Sequence, residues 1–139
     1  MTRLVHRLLA CGIAVAALAC QRAPTAEPPP AWPAEFAAYP GARRLCWGRD
    51  PAGALRVRWT LYASADEPAT VAAFYARAHR VDPGLQPFVV RGGGLTTLAV
   101  HPAAATGVPR CTPGLAPAER AVILVSTAAS RLAPAQEAR

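Results

Sequence analysis

The chain contains no lysine: all fifteen of its basic residues are arginine. That bias points to a GC-rich coding sequence and says little about chemistry. Long apolar runs are also missing. The apolar stretch Leu8 to Ala19 has twelve residues, and as a helix it would cover roughly 18 Å, short of the ~30 Å hydrocarbon core of a bilayer. Bulky core formers are few, because 33 of the 73 hydrophobic residues are alanine. No aromatic residue follows Phe88, and neither a C-x-x-C pair nor a G-x-S-x-G elbow occurs. With 139 residues, these absences disfavour a multi-domain enzyme and a spanning membrane protein, and leave room for one small domain. The formal charge is +7, and +5 once Arg3 and Arg7 are set aside with the leader described next. Such a balance favours anionic surfaces without naming a partner.

Arg3, His6 and Arg7 precede the apolar stretch, which ends in small residues: the grammar of an export signal over residues 1–19. Its end, Ala16-Ala17-Leu18-Ala19-Cys20, resembles the lipobox of bacterial lipoproteins. The resemblance implies that Cys20 carries diacylglycerol, that cleavage precedes it and that the new amino group is acylated. Ala17 stands where the commonest lipobox has leucine, and Ala17-Leu18-Ala19 also fits the A-x-A site of the ordinary signal peptidase. Cys11 is read as discarded signal. Several acyl chains at ~0.8 kcal/mol per buried methylene anchor stably. Gln21, rather than aspartate, follows the cysteine, so the family rule implies the outer membrane, facing the periplasm.

Residues 20–33 comprise the lipidated cysteine and a tether rich in proline (Pro24, Pro28, Pro29, Pro30, Pro33). Polyproline II at about 3.1 Å per residue would hold a domain up to ~35 Å off the bilayer. A single α+β domain is expected over 34–132, followed by a flexible tail over 133–139. With Cys11 removed and Cys20 lipidated, Cys46 and Cys111 remain as two thiols in an oxidising compartment, and a disulfide is expected between them.

Within the domain the pattern is β-β-α-β-β-β. A short first strand is expected over Arg44–Gly48, ended by the turn Asp50-Pro51-Ala52-Gly53. Leu55, Val57, Trp59 and Leu61 then alternate with Arg56, Arg58, Thr60 and Tyr62, which predicts a strand with the first set in the core and the second facing solvent. Ser64-Ala65-Asp66-Glu67 fits a capping box, and Val71, Phe74, Tyr75 and Ala78 form an apolar stripe at helical spacing, ended by Asp82-Pro83-Gly84. Phe88–Arg91 and Leu95–His101 flank three glycines as a hairpin. Ala121–Thr127, apolar on both faces, belongs in the centre of the sheet. The expected fold is α+β: one helix across a four- to five-stranded antiparallel sheet. Tyr39-Pro40-Gly41-Ala42, Ser64-x-Asp66 and Val71-x-x-Phe74-Tyr75 are similar to segments of small uncharacterised bacterial envelope lipoproteins. That resemblance spans about residues 36–80 and implies a location, not an activity.

Catalytic residue types are present in Ser64, Asp66, His79 and His101, but Ser64 is accounted for as a cap, and no nucleophile elbow accompanies it. No catalytic role, cofactor or metal is assigned, since two isolated histidines are weak evidence for a metal. Gly92-Gly93-Gly94 beside Arg91 is read as a hairpin turn rather than an anion nest. The one functional hint is Arg56 and Arg58 on a shared strand face, which Arg44 or Arg43 would join to bind phosphate or carboxylate. Nucleic acid is disfavoured, because no stacking array accompanies the charge. A membrane-anchored, non-catalytic interaction module is expected, with envelope proteins as partners. A binder of anionic lipid or polysaccharide is the alternative, and a hydrolase or hydrolase inhibitor stands behind both.

Overall fold

The computed structural model describes residues 27–92 and 94–130. The signal, Cys11, Cys20, most of the tether, Gly93 and the C-terminal tail lie outside the described residues. Five strands and one helix follow in the expected order: β1 (Arg43–Ala52), β2 (Leu55–Ser64), α1 (Pro68–His79), β3 (Phe88–Arg91), β4 (Leu95–Pro102) and β5 (Ala121–Ser130). All pairings are antiparallel, and the sheet runs β1-β2-β5-β4-β3. β5 is thus central, as its two apolar faces require. Cys46 and Cys111, 65 residues apart in sequence and 5.6 Å apart at Cα, form the expected disulfide.

Three local expectations are corrected. β1 does not stop at Gly48 but runs through Asp50 and Pro51 to Ala52, and the turn shifts to Gly53-Ala54. An edge strand tolerates the missing N–H of proline, and Gly53 supplies the positive φ (59°) that a two-residue connection needs. Ser64 is not a helix cap. It ends β2, its Oγ accepts the Asp66 N–H at 3.1 Å, and α1 starts after Glu67, which makes no side-chain cap bond, with Pro68 in the first turn. The buried helix stripe is Val71, Ala72, Tyr75 and Ala76. Ala78 is exposed, and Phe74 instead packs edge-on against Tyr39 with ring centroids 5.1 Å apart.

The largest correction concerns which face of β2 meets the core. Cross-strand partners share a face, so Tyr62 lies with Ile123 and Val100, and Thr60 with Val125 and Leu98. Those residues, with Val71 and Tyr75 of α1 and with Phe36, form the buried core. Thr60 and Tyr62, expected in solvent, are therefore only 5% and 6% exposed, on the face that α1 covers. The helix packs over β4 and β5. Tyr62 on β2 is covered by the N-terminal segment, where Trp32 packs on it at 4.3 Å between centroids and donates its Nε1–H to the Phe36 carbonyl at 2.6 Å. The packed domain therefore begins at least at Trp32, inside the stretch assigned to the tether.

Candidate functional site

Two regions lie outside the helix-covered core: the arginines beyond the helix, and the face of the sheet opposite it.

Arg56 and Arg58 lie on the helix side of β2, past the end of the buried zone, and are exposed. Across the ladder Arg58 stands opposite Arg49. Arg44 does not join them. It opposes Tyr62, four positions further along β2, or about 13 Å at ~3.3 Å per residue. Burial pushes the Tyr62 phenol up, and the Arg44 charge partly offsets that. The strip is thus Arg49, Arg56 and Arg58. Arg49 lies outside the strand expected over Arg44–Gly48, although the hairpin register counted back from Ala52 and Leu55 places it opposite Arg58. Glu27, at the edge of the described residues, pairs with both Arg49 and Arg58, the latter at 3.6 Å. The chain's own N-terminal segment thus meets the arginines expected to receive an anion. Exposed pairs of this kind contribute little and yield to salt.

On the opposite face, Leu61 of β2 and Val122 of β5 are buried neighbours, although α1 is on the other side. Their cover is the loop between β4 and β5. A β-bulge between Arg44 and Cys46 brings Leu45 to the same place. Together Leu45, Leu61, Val108, Leu115 and Val122 line a cavity of about 410 Å³ beneath Ala103–Cys111, and its charged lining residue is Arg110. Two of the fastenings that hold the loop tie it to β1. The Cys46–Cys111 bridge ties it to β1. Near its end Glu119 takes two bonds from Arg43, from Nε and Nη2, both at 2.8 Å, and one from the Ala116 N–H at 2.6 Å. The Arg43 hydrogen bonds hold the Glu119 carboxyl below the ordinary carboxylate range against the opposing effect of burial. Further along this face Leu55, Val89 and Leu95 remain exposed.

In space Tyr39 meets Asp66, Phe74 and Tyr75, all far from it in sequence. Tyr39 donates its hydroxyl to Asp66 Oδ2 at 2.7 Å and packs against Phe74 and Tyr75. This cluster has a structural role, joining the N-terminal segment to the start of α1. His79 lies in the last turn of α1 against the Phe36 ring, 4.9 Å between centroids, and His101 sits on the opposite face of the sheet beside Val122. The structure does not bring them together with a carboxylate, and among the described residues no group of three potential ligands could hold a metal. Among the described residues no helix is long and apolar enough to cross a membrane. No family model, curated protein or solved structure matches the chain.

Proposed function

We propose that this chain is an exported lipoprotein of the bacterial envelope, anchored through Cys20 to the outer membrane and facing the periplasm, whose small domain serves as a non-catalytic interaction or accessory module. One observation carries the reading: Cys46 and Cys111 are joined to each other, which leaves Cys20, in its lipobox context, as the cysteine of the mature chain without a partner in the domain. A bridge of this kind fits an oxidising compartment and not the cytosol. The proline-rich segment after Cys20 then supplies reach from the bilayer. Mass spectrometry of the chain purified from membranes should show cleavage before Cys20 and acyl mass at the amino terminus, and globomycin should block maturation. An unmodified terminus at Cys20 would replace the proposal with a freely diffusing periplasmic protein.

A second reading, a module for anionic envelope lipid or polysaccharide, is favoured by the Arg49–Arg58 juxtaposition. It predicts salt-sensitive binding to anionic vesicles that falls when Arg56 and Arg58 are both replaced by glutamine. A hydrolase or hydrolase inhibitor gains no support from the cavity, whose lining includes neither histidine nor carboxylate.

A further inference from the structure

We infer that the cavity beneath the β4–β5 loop binds the chain of a single-tailed carboxylate amphiphile, a fatty-acid-like molecule, with Arg110 meeting its head group. The inference is independent of the anchor at Cys20.

The space exists because the loop is kept from closing it. Protein interiors close to near-crystalline density, and a gap lined by apolar side chains forfeits their contacts. Here the loop cannot settle onto the sheet. It is fastened to β1 by Cys111 at one point and by Glu119 at another, and the run between β4 and that bridge begins with Ala103, Ala104 and Ala105, whose side chains are too short to reach a floor of Leu61 and Val122. The cavity is therefore preformed by covalent and ionic fastening, the usual condition of a small-molecule site.

Its chemistry selects the occupant. At about 410 Å³ it lies near the lower end of the ~300–1,000 Å³ typical of ligand sites, which admits one aliphatic chain of moderate length and not a two-chain phospholipid. The lining side chains are leucine, valine, proline, alanine and the Cys111 half of the bridge, with Thr106 and Arg110 as the polar ones, and Gly107 and Gly114 expose loop backbone to it. Arg110 is exposed and has no ion-pair partner among the described residues. A guanidinium beside an apolar slot complements a molecule with one carboxylate and one tail, since the fork of donors matches the carboxylate while the tail is taken from water.

The test uses the full chain expressed with Cys20→Ser, so that no acyl group of its own competes, with decanoate, decanol and butyrate as probes in titration calorimetry. Decanoate should bind saturably at one site per chain, decanol roughly tenfold more weakly, and butyrate not measurably. Arg110→Gln should lower decanoate affinity about tenfold and leave decanol unchanged, the size of a charge-assisted bond. Ala105→Trp, which fills the space from the loop side, should abolish binding while the melting transition stays cooperative. Absence of saturable decanoate binding by the folded chain, binding unmoved by Ala105→Trp, or equal affinities for decanoate and decanol would each overturn the inference.

Discussion

The indole of Trp59 covers Gly48 across the β1–β2 ladder so closely that a Cβ at Gly48 would fall 2.4 Å from its ring. This contact sits on the face opposite α1, and there Gly48 is the residue that permits a tryptophan to lie against the edge strand. Gly48→Ala should destabilise by about 1–3 kcal/mol, the range of overpacked cores. Urea denaturation would measure it, and in the Trp59→Ala background the penalty should largely vanish.

Removing the bridge is expected to cost more than any single surface change. Closing a loop of 65 residues corresponds to about 4 kcal/mol in the chain-entropy account, a large part of the stability of a small domain. Cys46→Ala, or reduction of the native chain, should shift the urea midpoint sharply downward. The β4–β5 loop should then be the first site of proteolytic nicking.

Alkaline pH should act through Tyr39. Burial first, and then its bond to the Asp66 carboxylate, push its phenol up to about 12, against ~10 in the unfolded chain. The folded state holds that proton more tightly, so the stability it contributes is complete below pH ~10 and is lost as the pH climbs toward 12. Burial raises all three tyrosines, so the difference in tyrosinate absorbance between the native chain and Tyr39→Phe should isolate the Tyr39 titration, which moves to lower pH in Asp66→Asn.

Acid should act through the Arg43–Glu119 pair. Because Arg43 holds Glu119 below its ordinary range, the contribution of this pair is present above the unfolded carboxylate pKa of ~4.3 and is lost as the pH falls through the depressed folded value. Glu119→Gln should reproduce the acid effect at neutral pH by loosening residues 112–119, read as faster hydrogen exchange there. Added salt should narrow the difference from the native chain.

Trp32→Ala should destabilise the domain, since the ring covers Tyr62. A half-buried tryptophan should cost somewhat less than the ~3–5 kcal/mol of a fully buried one. Limited proteolysis should then cut between residues 27 and 36, where the native chain resists.

The order of elements, the central place of β5 and the cysteine pair were legible because each rests on a local or arithmetical signal: two-fold alternation, an all-apolar run, two thiols left after two were assigned. The face of β2 was not. Leu55, Val57, Trp59 and Leu61 look like a core face, yet it is Thr60 and Tyr62 that are buried on the face shared with α1, Tyr62 beneath Trp32. Both faces of this sheet bury apolar area, one under α1 and Trp32 and the other under a loop that has no periodicity to announce it. The cavity was hidden for the same reason, as no pattern in Ala103–Leu115 marks it as a lid. The arginine strip was half legible: Arg56 and Arg58 share a face as expected, but their neighbour depends on the length of β1, and proline and glycine near Arg49 masked the strand's continuation.

β5 enters the sheet last and fills its middle. Until those ten residues arrive, the β1–β2 and β3–β4 hairpins have no common neighbour, and β2 and β4 each present an unpaired edge. A polypeptide synthesised amino end first therefore reaches its closed form in one late step, and copies cut short before Ala121 are committed to edge-to-edge association or degradation.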